Sequence, residues 1–277
     1  MRRAAIVAAL ACVALAGCGS RDETTTPKTT AELKVVMPPH AESAALIAGA
    51  AKQGLFKEAG IDAGLQTATT GIDAVATGRA QLAVASEPAV LQARNRGLQV
   101  VSVASLVRGP RVAVVSTTSA VKSPRDLVGK RVGFFGPPTS QAFAKTLSAR
   151  AGGSGIHIAP VTDPSKALQK HTVDAVIGPA SAVHVKKAHA VTVDKLGIPT
   201  YDEEVLVASD GSVHGRGDEI RSFVGALWHQ AKGKAPGAQS VEQWRRFAEW
   251  MDANGLTKGQ VSAAAAVTNS LLPGLRT

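Results

Sequence analysis

The stretch Gly71–Gly97, GIDAVATGRAQLAVASEPAVLQARNRG, decides the fold. A helical run over Gly71 to Thr77 stops at Gly78, the apolar segment Leu82 to Ala85 follows, and a second helical run from Pro88 to Arg96 stops at Gly97. Glycine just past a helix end enters the left-handed cap without steric cost. A short apolar run between two such helices reads as a strand buried on both faces, as in a parallel sheet.

The same alternation continues on both sides. Strands are expected near Leu33 to Met37, Ile61 to Gln66, Leu98 to Val107, Arg111 to Val115, Arg131 to Phe135, Ile156 to Pro160, Val173 to Ile177 and Val205 to Ala208. Helices fill the gaps, Glu42 to Gln53 being stopped by Gly54. β-Branched runs alternating with alanine-rich amphipathic ones imply an α/β fold with mostly parallel sheets. Near the C-terminus the strands cease. Ile220, Phe223, Val224 and Leu227, then Trp244, Phe247, Ala248 and Met251, keep helical spacing, so these stripes and their tryptophans face a core.

A folded body of about 245 residues exceeds the usual single-domain size and divides naturally into two lobes. The long strand around Leu98 to Val107 leaves the first lobe and Pro199 to Val207 returns to it. The expected division is residues 33–107 with 204–277 as lobe I and 108–203 as lobe II, with the two crossings as a hinge. The C-terminal helices are expected on lobe I.

The N-terminus reads differently. Arg2 and Arg3 precede an apolar segment, Ala4 to Val13, too short to span a bilayer, and small residues follow. Residues 1–17 are therefore expected to be an export signal. Leu15-Ala16-Gly17-Cys18 resembles a bacterial lipobox, which implies a lipidated Cys18 as mature N-terminus and a polar tether over residues 18–32. Two acyl chains meet the requirement for stable anchoring on the outer face of a cytoplasmic membrane. The other cysteine, Cys12, leaves with the signal, so the body has no thiol for disulfides, thiolate zinc sites or nucleophilic catalysis.

Signal removal takes 2 of the 31 basic residues and leaves 29 against 21 acidic ones, a net +8. The charge is scattered, without the dense basic and aromatic patch of a nucleic-acid binder, and it suits life beside anionic lipid headgroups. The seven histidines show no metal-ligand spacing, and no nucleophile elbow, Walker loop or dinucleotide fingerprint occurs. The expectation is binding without chemistry and without a cofactor.

Ligands of parallel α/β sheets bind beyond the carboxyl ends of the strands. That rule collects Pro38-Pro39-His40, Ser86-Glu87-Pro88, Gly136 to Gln141 and Gly178-Pro179 around one cleft. Thr139 or Ser140 would cap the helix after Gly136, with free N–H groups facing the cleft. Glu87 offers a carboxylate to a donor-bearing ligand, and Tyr201, the sole tyrosine, offers a stacking face at the return crossing beside Glu204. The expected ligand contacts are Glu87 and Tyr201 first, then Ser86, Pro39, His40, Thr139, Ser140 and Glu204.

Several segments, taken together, resemble the NMT1/THI5-like group of solute-binding proteins: AAKQGLFKEAGID (50–62), GIDAVATGRAQLAVASEP (71–88), VKSPRDLVGKRVGF (121–134), VDAVIGP (173–179), GIPTYDEEVLVAS (197–209), FAEWMDANGL (247–256) and TNSLLPG (268–274). The last three look closest to the binders of thiamine pyrimidine precursors. Those proteins resemble W-x-P-N-x-x-H after the first strand, where this chain has VVMPPHAES. The resemblance implies a two-lobed periplasmic-binding-protein fold of type II, a monomer, a small heteroaromatic solute and ABC permease subunits as partners. An anionic solute such as an alkyl sulfonate, or a riboflavin-like vitamin precursor, remains open. An enzyme on the same fold is the rival from another class, against which the export signal argues; a surface structural or adhesion role is the third.

Overall fold

The computed structural model describes residues 30–274 except 119, 154, 235 and 260. The export signal and Cys18 lie outside the described residues. The expected tether is shorter than 18–32, because Ala31 and Glu32 already pair with Ile61 and Asp62 in the first sheet.

The strands are β1 (Ala31–Met37), β2 (Ile61–Thr67), β3 (Leu82–Ala85), β4 (Val100–Val107), β5 (Val112–Ser116), β6 (Arg131–Phe134), β7 (His157–Pro160), β8 (Ala175–Pro179), β9 (His189–Thr192) and β10 (Glu204–Ser209). The helices are α1 (Ala44–Lys52), α2 (Leu55–Glu58), α3 (Gly71–Ala76), α4 (Glu87–Asn95), α5 (Pro138–Arg150), α6 (Pro164–Gln169), α7 (Asp210–Gly215), α8 (Gly217–Gln230), α9 (Val241–Ala253) and α10 (Ala263–Ala266).

Two five-stranded mixed sheets result, ordered β2-β1-β3-β10-β4 and β7-β6-β8-β5-β9. In the first, β1 runs parallel to β2 and β3, and β10 antiparallel to β3 and β4. In the second, β6 runs parallel to β7 and β8, and β5 antiparallel to β8 and β9. The antiparallel member next to the parallel strands is, in each sheet, the strand that has just crossed from the other half: β5 after residues 108–111 and β10 after 197–203. The exposed edge of β4 is covered by the tail, through Gly237 paired with Ser105 and Val267 with Ser102.

The opening stretch folds as its glycines dictate. Gly78 takes φ 73° and Gly97 φ 86°, with Gly97 N–H donating to Arg94 O and Leu98 N–H to Ala93 O. That turn delays β4 to Val100. The helix expected from Glu42 begins at Ala44, because the amides of Glu42 and Ser43 donate to the Glu204 carboxylate, 162 and 161 residues away, at 2.6 and 2.8 Å. This is a cap supplied by tertiary structure. β8 starts two residues later than expected, since the Asp174 side chain accepts from Arg131 N–H at 2.8 Å and pairs with its guanidinium at 3.0 Å. β9, HAVT, was outside the expected set: it is a short edge strand with no buried apolar run.

α8 packs as expected on the first half, with Phe223 stacked on Phe56 at 4.5 Å. α9 packs on that half too, Gln243 Nε2 donating to Glu87 Oε2 of α4, but it also reaches across to the second. Phe247 meets Tyr201 of the return crossing at 4.7 Å, Trp250 stacks on Phe143 of α5 at 5.1 Å, and Thr146 Oγ1 donates to Asn254 Oδ1 at 2.6 Å. A single buried apolar cluster therefore runs from Val36 and Val90 through Tyr201 and Trp244 to Phe143 and Ile177. The rear of the crossings is an aromatic joint.

Candidate functional site

Parallel strands deliver their following loops to one edge of each sheet, and the two sheets turn those edges toward each other. A cavity of about 560 Å³ results. Its walls include Pro38, Pro39, Thr69, Thr70, Asp73, Ser86, Gln92 and Arg96 from the first half, Pro137 and Pro179 from the second, and Glu203 and Glu204 of the return crossing. A neighbouring cavity of about 680 Å³ is walled by Pro39, His40, Glu42, Arg111, Pro179, Ser181, His184, Glu203 and Glu204. The four strand-end loops thus contribute Pro38, Pro39, Ser86, Pro137 and Pro179 to one space.

Each wall has a local cause. Ser86 follows β3 in an extended conformation and its Oγ caps α4 by accepting from Ala89 N–H, which brings the loop tip to the cleft. His40 sits at φ 64°, an uncommon left-handed conformation for a residue with a side chain. Arg111, the last residue of the crossing before β5, reaches back across the cleft, its Nε 2.9 Å from Glu42 Oε2, while its backbone N–H donates to Glu203 Oε2 at 2.7 Å. Burial raises the Glu203 carboxyl above its usual range, and the nearby Glu204 charge pushes the same way.

Glu87, Tyr201, Thr139 and Ser140 lie behind this surface. Glu87 is fully buried and lines neither cavity. Its Oε2 accepts from Asp202 N–H at 2.8 Å and from Gln243 Nε2 at 3.1 Å, and its own N–H donates to Asp202 O. Desolvation raises this carboxyl to about 8, the hydrogen bonds from Asp202 and Gln243 only partly opposing it. At neutral pH it is mainly protonated. Tyr201 is equally buried, between Phe143 and Phe247, with burial holding its phenol well above the ordinary range. Glu87 and Tyr201 therefore meet in the joint behind the cleft, where neither touches the open space. Thr139 and Ser140 are buried in the first turn of α5 and also line neither cavity; the cap residue Pro137 reaches the cleft in their place. Glu204 reaches the cleft, but both its oxygens hold the start of α1.

Sequence reasoning did not single out Glu42, Gln92, Arg96, Arg111, Glu203 or His184. Arg111 and Glu203 carried a signal, as charged residues at the two expected crossings. Gln92 and Arg96 carried only their place on the exposed side of an amphipathic helix. Among the described residues no group of three or more His, Cys, Asp or Glu is placed to hold a metal ion, and no helix is long and apolar enough to cross a membrane.

A family model described as NMT1/THI5 like matches residues 41–232. The chain is 33% identical over 189 residues, 63% of its length, to a formylaminopyrimidine-binding protein from Halalkalibacterium halodurans. It is 31% identical over 183 residues, 62% of its length, to a protein named for thiamine biosynthesis from Haemophilus influenzae. The match spans 57% of each of these relatives. In fold the chain is similar to a periplasmic sulfonate-binding protein from Methylobacillus flagellatus, with TM-score 0.67, 13% identity and coverage of 88% of this chain and 93% of that one. The aliphatic sulphonate binder of Escherichia coli gives TM-score 0.60, 15% identity and coverage of 86% and 92%. The architecture is that of the periplasmic binding proteins.

Proposed function

Because the chain belongs to the NMT1/THI5-like family, we propose that it is the solute-binding component of an ABC importer, which takes up a thiamine-type aminopyrimidine and delivers it to a membrane permease. The observation that carries this reading is the cavity walled by strand-end loops of both halves and by the return crossing. A solute held there touches both halves, so its binding energy favours their approach. The lobes are residues 31–107 with 204–274, and 108–203, turning about the two crossings.

The pyrimidine class is supported by the relative named for formylaminopyrimidine binding and by the walls themselves. Gln92 presents an amide, with donor beside acceptor, the complement of a ring nitrogen next to an amino group. Thr69, Thr70 and Ser86 add hydroxyls. Pro39, His40 and Ser86 form contact surface, and Glu87 and Tyr201 support it from behind. Alkyl sulfonate is the second reading, favoured by Arg96 in the wall, although Asp73 lies 3.5 Å from that guanidinium. The solute leaves unchanged.

Aminopyrimidines, thiamine, riboflavin and alkyl sulfonates should be screened by thermal denaturation. A true ligand at a hundred times its Kd stabilises the fold by about 2.7 kcal/mol, roughly 5 to 10 °C for a chain of this size. A response to sulfonates alone would replace the proposed ligand, and turnover of any hit would replace binding by catalysis. The protein acts outside the cytoplasm, anchored through Cys18. Cys18→Ser is expected to move it from the membrane to the soluble fraction; equal membrane retention, with no labelled fatty acid entering the unmodified protein, would sink the anchor.

A further inference from the structure

We propose that Glu204 is a positioning residue for solute capture: its carboxylate holds the loop over residues 38–43 against the root of both crossings, so that one wall of the cleft is formed before a solute arrives. The inference goes beyond the pyrimidine reading, because it concerns any occupant of the cleft, and uses that reading to choose a probe.

Six residues join β1 to α1, and Pro38, Pro39, His40 and Glu42 among them stand in the cavity walls. Inside the segment two turn bonds act, Ala41 N–H donating to Pro38 O at 3.2 Å and Ala44 N–H to Ala41 O at 3.1 Å. Its far end lacks the usual cap. Ser43 stands at the cap position and is a residue type that ordinarily accepts from the first amides of a helix, but it is itself helical at φ −72°, ψ −8°, and its buried Oγ has no partner among the described residues. The amides of Glu42 and Ser43 turn to Glu204 instead. Such hydrogen bonds to a carboxylate are roughly twice as strong as neutral ones. A serine in place could have capped α1 locally, so a carboxylate 161 residues further along does something more. It ties the loop to another part of the fold.

That part is the hinge. Glu204 opens β10 opposite Val107, the last residue of β4. The first crossing leaves after Val107 and the second arrives at Glu204, so the carboxylate sits at the root of both. A second tie runs from Glu42 to Arg111 of the first crossing, at 2.9 and 3.0 Å. Both partners of that pair are about half exposed, so water screens it and it adds little. The buried Glu204 makes the firmer tie. His40 bears the mark of being held: φ 64° is disfavoured for a residue with a Cβ and persists where the surroundings over-determine it. A loop fixed in this way need not be ordered by the solute, which keeps the binding-competent fraction high.

Amide exchange followed by nuclear magnetic resonance reads the tie without any solute. In the wild type the Glu42 and Ser43 amides are expected to exchange about a hundredfold or more slowly than in an unstructured peptide. Glu204→Gln, which turns an NH2 group toward one of the two amides, is expected to speed both by about tenfold or more, while Val90 in α4 stays slow. Glu42→Gln breaks only the exposed pair and leaves both amides slow. Fast exchange in the wild type, or equal loosening by Glu42→Gln, would overturn the inference, and the wild-type measurement decides even where Glu204→Gln does not fold. Surface plasmon resonance with a hydroxymethyl aminopyrimidine reads the consequence for capture. Glu204→Gln is expected to slow association about tenfold and to leave dissociation unchanged, because the loop is competent in a smaller fraction of molecules. Faster dissociation at unchanged association would make Glu204 a solute contact, and unchanged rates would make it a helix cap alone; either result overturns the inference. A wild type that binds no aminopyrimidine removes the pyrimidine reading and leaves the exchange result to decide this one, the rates then being read with whichever solute stabilises the protein.

Discussion

Replacing Phe247 by alanine is expected to lower the unfolding free energy by about 3 to 5 kcal/mol, the usual range for emptying a fully buried aromatic site. The ring is completely buried and touches Tyr201 at 4.7 Å and Trp250 at 5.3 Å. The cavity left behind adds its own term to the lost transfer term. Phe247→Leu should cost far less, since most of the volume remains. Val128, 47% exposed, provides the surface control: Val128→Ala should stay within about 0.5 kcal/mol. Urea unfolding followed by circular dichroism measures all three. A loss below about 1.5 kcal/mol for Phe247→Ala would mean that the joint is far looser than its ring distances say.

The second large effect is in pH. The Glu87 carboxyl is raised from 4.5 to about 8. A raised folded-state value means that its contribution is fully present below pH 4.5 and is lost as pH climbs through 8. At pH 7 the loss is on the order of 3 kcal/mol, at about 1.4 kcal/mol per unit. Glu87→Gln keeps an acceptor for Asp202 N–H and has no charge to bury. The melting temperature of the wild type should therefore fall more steeply between pH 5 and 8 than that of the variant, which becomes the more stable protein at the upper end. Part of the slope will persist, because burial also raises Asp202 and Glu203. Parallel melting curves across that range would show that Glu87 is not a buried acid. Tenfold weaker solute binding by a variant of unchanged stability would instead return Glu87 to the ligand.

The two halves and most strands were legible because their signals are local. Gly78 and Gly97 end helices wherever the chain goes next, and Leu82 to Ala85 can only be a buried strand between them. β9 gave no such signal, since an exposed edge strand of four residues needs no apolar pattern. The loops of the cleft were legible for a topological reason: strand ends gather on one side of a sheet, which is enough to choose Pro39, Ser86 and Pro179. Side-chain direction was not. Whether Glu87 points outward or inward depends on Asp202 and Gln243, 115 and 156 residues away. Periodicity likewise marked the buried stripe of α9 without saying that Trp250 would lie on Phe143, across the joint.

That joint also fixes how the molecule can be watched by light. All three tryptophans, Trp228, Trp244 and Trp250, belong to the C-terminal helices, and none lines the cleft. A solute bound there as proposed would meet no indole directly. In the proposed closure, Trp250, stacked at 5.1 Å on a phenylalanine of the opposite half, is the chromophore whose surroundings would change. Ultraviolet emission would then gauge the proposed angle between the halves rather than the occupant of the cleft.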